Sequence, residues 1–218
     1  TIDRGNKKVT QTVTYPDSTN SASQTTVNGL LVSSTTKTGI KTDFGYDLLE
    51  RRTSITDPRT GTSTTHYNEN GQIDYLEDAA SNRTSYVYAP DTGRRISVTD
   101  PLSNTVYTAY DLEGRTLGVW GAAYPILYDY DDYGRMTAMY TLRSTNVVAS
   151  DYSGLRSQIS AFDKTSLSYD QATGLLTNKL YADGKGPAYS YTSDGKLASR
   201  AWARTSGGAN LVTSYNYT

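Results

Sequence analysis

The sequence predicts an all-β fold, in which serial antiparallel β-hairpin repeats of about 21 residues form a twisted, curling β-ribbon. Three observations carry this reading. One turn recurs along the whole chain. Each copy is preceded by an alternating pair of residues, mostly large, that ends in tyrosine. No window shows the sustained i, i+3, i+4 apolar spacing of a helix, and Thr, Ser, Tyr and Gly dominate instead. Anchored on glycine, the turns fall at Gly29, at Glu50 in a glycine slot, and then at Gly71, Gly93, Gly114, Gly134, Gly154, Gly174 and Gly195. The steps are 20 to 22 residues throughout.

The strand entering each turn is the first element. Its pairs are Phe44-Gly45-Tyr46, Thr65-His66-Tyr67, Tyr86-Val87-Tyr88, Thr108-Ala109-Tyr110, Tyr128-Asp129-Tyr130, Leu167-Ser168-Tyr169, Tyr189-Ser190-Tyr191 and Tyr215-Asn216-Tyr217. Residues two apart share a strand face. The turn follows, opened by Asp47, Asp111, Asp131 or Asp170 and closed by the glycine, which supplies positive φ. Glu50 lacks that freedom, so its turn is expected to be distorted or of another type. The copies Tyr88 to Gly93 and Tyr169 to Gly174 carry one extra residue, to be absorbed by a longer loop or a bulge. A second alternating strand leaves the turn, as in Gly134-Arg135-Met136-Thr137-Ala138. It often ends at an Asp-Pro turn, at Asp57-Pro58 or Asp100-Pro101, where Pro presets the first corner and Asp caps it. Two strands per repeat give roughly 16–18 strands.

Three segments depart from the pattern. Pro16 to Asn28, rich in Ser, Thr and Asn, reads as a long exposed loop. Thr141 to Leu155 reads as a weakened repeat with Tyr152 displaced toward Gly154. Trp202 to Tyr217 carries Ser206-Gly207-Gly208, a hairpin loop. The array is expected to be a single continuous one over residues 1–218. Thr1-Ile2-Asp3 reads as the phase of an Asp turn, and Tyr217-Thr218 stops where another turn is due, so the chain reads as a segment of a longer polypeptide.

Composition sets bounds. Leu, Ile, Val and Phe together are under a fifth of the 218 residues, thin for an oily core, but there are 20 tyrosines against 2 phenylalanines and the net charge is only −1. Tyr buries a ring while its hydroxyl finds a partner, which suits a thin, wet sheet. Near-neutrality argues against a nucleic-acid surface. With no cysteine there are no disulfides or thiolate metal sites, and no apolar run is long enough for a membrane span.

Little chemistry is signalled, and no catalytic, cofactor or metal residue is assigned. The lone His66 faces away from Thr65 and Tyr67 and reads as a surface or packing residue. Asp129, Asp131 and Asp132 form an acidic cluster without calcium-loop spacing, so Asp131 reads as a turn cap. Arg94, Arg115 and Arg135 follow their glycines in register and are expected to pair with nearby Asp111 and Asp131. Tyr88, Tyr110 and Tyr130 are expected to form a row, with Ile96 or Met136 filling the gaps. Trp120 and Trp202 interrupt the pattern and are the candidates for glycan contact.

The Tyr-Asp-x-x-Gly-Arg turn, as in Tyr110 to Arg115 and Tyr130 to Arg135, resembles the YD-repeat or Rhs-repeat family from about Gly29 to Tyr217. That family includes Rhs polymorphic toxins, the C components of insecticidal toxin complexes, and teneurins. The resemblance implies a β-ribbon that spirals into a hollow shell, which in bacterial members encloses a toxic C-terminal domain. It also implies a self-cleaving site after Asp-Pro-x-Gly in Rhs shells. Asp57-Pro58 and Asp100-Pro101 lie inside ordinary repeats, lack that context and read as turns. The expected role is a non-enzymatic wall segment of a secreted or surface bacterial protein, in a shell or fibre. The alternative is an adhesion or carbohydrate-binding module using exposed Tyr and Trp. The partners implied are the rest of the same polypeptide or identical subunits through edge strands, an enclosed toxin domain, or surface glycans.

Overall fold

A five-residue turn, most often with Asp or Asn at its first position, recurs through this chain. Residues 2, 3, 5, 7–16, 21–142, 149 and 151–217 are described in a computed structural model, and the chain divides into two units, Thr1–Asn104 and Thr105–Thr218.

The first unit is an antiparallel meander, each strand pairing with the next. Its strands are β1 (Ile2–Asp3), β2 (Lys8–Thr14), β3 (Ser21–Val27), β4 (Leu30–Thr35), β5 (Lys41–Tyr46), β6 (Arg52–Asp57), β7 (Gly61–Tyr67), β8 (Ile73–Glu77), β9 (Arg83–Tyr88) and β10 (Arg95–Thr99). Among its described residues only Ser97 is buried. Half-buried Thr, Ser and Tyr side chains do the packing, as the composition required.

The Pro16 to Asn28 loop is corrected by this structure. Residues 21–27 form β3, in register with β2 from Lys8↔Val27 to Thr14↔Ser21, and residues 17–20 lie outside the described residues. Threonines facing each other across the ladder, with Thr10 and Thr25 sharing a hydroxyl hydrogen bond at 3.2 Å, satisfy a strand as well as a loop. Asn28 and Gly29 then close a two-residue hairpin, both at positive φ (52° and 88°), as that tight turn requires.

The second unit begins with β11 (Thr105–Tyr110), β12 (Thr116–Gly121), β13 (Ile126–Tyr130) and β14 (Met136–Thr141). A helical segment, α1 (Tyr152–Ser157) and a 3₁₀ turn (Ile159–Ala161), precedes β15 (Asp163–Tyr169), β16 (Leu176–Leu180), β17 (Ala188–Tyr191), β18 (Leu197–Ser206) and β19 (Ala209–Ser214). These strands too form an antiparallel meander. The expected Ser206-Gly207-Gly208 loop joins the last two, with both glycines at positive φ.

The helical segment replaces the turn expected at Gly154. Asp151 caps α1, its side chain accepting from the Gly154 N–H at 2.8 Å. Leu155 and Phe162 cluster with Trp120, Leu127, Ala138 and Tyr140 from the sheet, and these six are the buried hydrophobic core among the described residues. The rest of the weakened repeat, residues 143–148 and 150, lies outside the described residues.

Each repeat hairpin also contains a β-bulge. The register skips Val32, Thr53, Asp74, Ile96, Leu117, Thr137, Thr177 and Ala198, one residue opposite each entering strand. Every skipped residue stands three positions after the turn glycine or its substitute Glu50. A bulge bends the strand and raises its right-handed twist, so curvature is written into every repeat at the same place.

Candidate functional site

The turn is held by its first side chain. In Asp47 to Arg51, the Asp47 N–H donates to the Arg51 carbonyl and the Glu50 N–H to the Asp47 carbonyl. Asp47 Oδ1 accepts from the N–H groups of Leu49 and Arg51, both at 2.9 Å, while Arg51 Nε donates to Oδ2 at 2.7 Å. Asp111 with Arg115 and Asp131 with Arg135 repeat this arrangement. Asn68 with Gln72 is its uncharged version. The second turn of the repeat is the same construction, in Asp78 to Asn82 and Asp100 to Asn104, with serine in the glycine slot (Ser81 φ 63°, Ser103 φ 66°). The longer copies close over one more residue, with Gly93 N–H on the Ala89 carbonyl and Gly174 N–H on that of Asp170.

Glu50 corrects the expectation of a distorted turn. It sits at φ 62°, in the same hydrogen-bonded loop as its glycine counterparts. A side chain in that region is strained by about 1 kcal/mol or more. Glu50→Gly is therefore expected to stabilise the chain by roughly 0.5–1 kcal/mol, measured by urea denaturation; a loss of stability would remove the argument.

These carboxylates are held below their ordinary range. At Asp57, Asp78, Asp100 and Asp170 the largest cause is a side-chain hydrogen bond, from Arg59, Asn82, Asn104 and Thr173 respectively. At Asp47, Asp111 and Asp131 desolvation is the largest influence and pushes upward, but hydrogen bonds and charge from Arg51, Arg115 and Arg135 outweigh it. A depressed folded-state pKa contributes stability above the unfolded-state value, and that contribution is lost as pH falls through the folded-state value. Thermal midpoints are thus expected to hold near neutrality and fall progressively below about pH 4. A midpoint flat from pH 6 to pH 2 would exclude the turns as its source.

The tyrosines connect one repeat to the next. A bulge takes the extra residue and its neighbour out of ladder register. At seven of the eight bulges the carbonyl just before the skipped residue receives the tyrosine hydroxyl of the following repeat. Tyr46 donates to Leu31, Tyr67 to Arg52, Tyr88 to Ile73, Tyr130 to Thr116, Tyr169 to Met136, Tyr191 to Leu176 and Tyr217 to Leu197, at 2.8–3.0 Å. Tyr110 is half-buried at the equivalent strand end. Tyr130→Phe, which keeps the ring and strands the Thr116 carbonyl, is expected to lose about 1–2 kcal/mol. The same change at the exposed Tyr133 is the control; equal losses in denaturation midpoints would refute the assignment.

Arginines cap several of these tyrosine rings. The guanidinium carbons of Arg51, Arg115 and Arg135 lie 4.3, 4.8 and 4.7 Å from the ring centres of Tyr67, Tyr130 and Tyr169, each in the next repeat. In its place Gln72 donates from Nε2 to the Gly93 carbonyl at 2.7 Å. Gly71, Gly93, Gly114, Gly134, Gly174 and Gly195 all have positive φ, and Arg94 is half-buried beside its own turn.

The remaining candidates separate. Trp120 is 5% exposed, stacks on Tyr107 with ring centres 5.5 Å apart and donates from Nε1 to the Ala149 carbonyl at 3.2 Å. It belongs to the core and is unavailable to a glycan; it interrupts the repeat because the helical segment covers it. Trp202 is 39% exposed, but the Arg200 guanidinium covers one face at 3.6 Å. His66 stacks on Tyr75, whose other neighbour is the Arg83 guanidinium. Asp129 accepts from the Tyr140 hydroxyl at 2.8 Å and pairs with Arg156 of α1, so it fastens the helical segment to the sheet. Among the described residues no group of three or more His, Asp or Glu is placed to hold a metal, and no helix is long and apolar enough to cross a membrane.

Residues 27–62 match the RHS Repeat family. That stretch carries the sequence signature of one such repeat. Its fold is that of segments of TcdB2-TccC3 toxin-complex structures. One, TcdB2-TccC3 without its hypervariable C-terminal region, is 16% identical at a TM-score of 0.54, with 90% of this chain and 12% of that chain covered. TcdB2-TccC3-TEV gives the same values. The Tc holotoxin pore of Photorhabdus luminescens is 13% identical at a TM-score of 0.50, covering 97% of this chain and 14% of that one. The Rhs-repeat chain thus spans about an eighth of the length of these neighbours. No curated protein matches the sequence.

Proposed function

We propose that this chain is a non-enzymatic wall segment of a secreted or surface-exposed bacterial Rhs-repeat protein, part of a single continuous array that encloses a toxic domain. The observation that carries the reading is the bond from seven repeat tyrosine hydroxyls to the bulge carbonyl of the preceding repeat. It ties neighbouring repeats at the same point where each bends, which is what a curved wall one sheet thick needs. The residues that would otherwise suggest chemistry are consumed by this scaffold: the aspartates cap turns and the arginines cap rings. The likeness to TcdB2-TccC3 segments supports the shell over a fibre. The glycan-binding alternative loses Trp120; it retains Trp202, with one face already covered, and exposed tyrosines such as Tyr124 and Tyr133.

Cryo-electron microscopy of the intact polypeptide carrying these repeats tests the reading. Density for residues 21–217 is expected within a continuous wall around an enclosed volume. A segment projecting as a free arm, with both sheet faces in bulk solvent, would overturn it.

A further inference from the structure

Four repeat turns of this chain match their first and last side chains. Asp47, Asp111 and Asp131 are each answered by an arginine, and neutral Asn68 is answered by neutral Gln72. Each of those arginines also caps a tyrosine of the following repeat. The turn from Asp170 to Leu175 breaks this rule. Its carboxylate is present, and Tyr191 of the next repeat is in its usual place with its hydroxyl on the Leu176 carbonyl, but leucine stands where the arginine belongs.

The consequence is a slot with a ring and a carboxylate and no cation between them. Asp170 Oδ1 takes the N–H groups of Ala172 and Thr173 and the Thr173 hydroxyl. Its Oδ2, the oxygen that binds Nε in Asp47, Asp111 and Asp131, pairs with no cation among the described residues. Asp170, Leu175, Tyr191 and Asp194 line one open groove of about 610 Å³. Lys196 does not fill the slot: its ammonium pairs with Asp194 at 2.9 Å and lies over Tyr217. The next groove back, about 570 Å³ and lined by Asp131, Arg135 and Tyr169, shows the same surface with its guanidinium in place. The Leu30 slot before Tyr46 also lacks a cation, but its Asn28-Gly29 turn offers no carboxylate. Among the described residues, Asp170 with Tyr191 is the one charged, aromatic slot of this kind left open.

We propose that this groove binds an arginine side chain from another polypeptide segment, its guanidinium on the Tyr191 ring and against Asp170 Oδ2. The neighbouring repeats supply the precedent within the same chain: planar guanidinium fits a carboxylate and stacks on a ring, where an ammonium does neither as well. The inference does not rest on the wall reading, since the slot exists in any arrangement of the repeats.

The probe is N-acetyl-arginine amide, titrated into the isotope-labelled 218-residue chain and followed by amide NMR shifts. Saturable shifts are expected at residues 170–175 and at Tyr191, with N-acetyl-lysine amide weaker and N-acetyl-norleucine amide silent. Asp170→Asn is expected to weaken binding by about threefold or more, and Leu175→Arg, which supplies the guanidinium in cis, by about tenfold or more while raising the melting temperature. Equal responses to the arginine and norleucine probes would overturn the proposal, as would full binding retained in Leu175→Arg. Should that variant fail to fold, undiminished binding in Asp170→Asn overturns it alone.

Discussion

Replacing Gly186 with alanine is expected to cost more than ~3 kcal/mol, the largest loss from a single added methyl in this chain. Gly186 lies in the short connection from β16 to β17, where the Lys179 N–H donates to the Pro187 carbonyl at 3.0 Å and the Tyr181 N–H to that of Lys185 at 2.8 Å. A Cβ built on Gly186 overlaps the Lys179 carbonyl oxygen and stands 2.7 Å from its carbon and 3.0 Å from the Leu180 Cα. All three of these neighbours are backbone atoms, so no side chain can step aside. The strand must move, and its sole paired position with β17, Asn178↔Ala188, moves with it. Glycine is here for close approach of two backbones. The repeat glycine Gly195 is the contrast: φ is +80° and a Cβ there meets nothing within 4 Å. Gly195→Ala is expected to cost about 1 kcal/mol from φ alone. Both are read from urea denaturation of the 218-residue chain, and losses of similar size would refute the distinction between a conformational and a steric glycine.

The period and the turns were legible because their chemistry is local. An Asp that caps its own loop and a glycine at positive φ leave the same residues at the same spacing wherever they occur. The bulges were not legible. They fall at Val32, Thr53, Asp74, Ile96, Leu117, Thr137, Thr177 and Ala198, residues with no common chemistry, because a bulge is set by how two strands meet. The partner of each bulge was nonetheless in view, since the tyrosine that satisfies it is among the most regular residues of the chain. Its hydroxyl's destination required the fold. Glu50 was misread for a related reason: Asp47 and Arg51 hold the loop strongly enough to impose positive φ on a residue that resists it. Trp120 and the segment around Gly154 were misread together. A six-residue helix is marginal by itself and leaves no apolar periodicity, so nothing near Trp120 announced that it would be covered. The open slot at Asp170 was legible in principle, as a leucine standing where register calls for arginine, but its meaning depended on learning that arginine caps the next tyrosine.

Leu127 tests that covered region. It is fully buried, at 0% exposure, on the face of β13 that opposes Gly118 of β12 and Tyr140 of β14. The fit against Gly118 is close: a Cβ added there would stand 2.9 Å from Leu127 Cδ2 and 3.2 Å from the Tyr152 ring of α1. Leu127 thus lies between the sheet and the helical segment. Leu127→Ala removes apolar area from a packed site and leaves a cavity that the surrounding strands, fixed by their ladders, fill poorly. The expected loss is about 3–4 kcal/mol. Leu112→Ala, at a turn position 91% exposed, is expected to stay within about 0.5 kcal/mol of the parent. A second readout separates local from global damage. The six residues of α1 depend on docking, so amide exchange at Leu155 is expected to accelerate in Leu127→Ala more than exchange at Thr65 in the other unit. The remaining ties, Asp129 to Arg156 at 2.8 Å and Trp120 Nε1 to the Ala149 carbonyl, are too exposed or too few to hold the segment without the apolar contact. A loss below about 1 kcal/mol with unchanged exchange at Leu155 would mean that the polar ties, and not the buried leucine, hold the helix to the sheet.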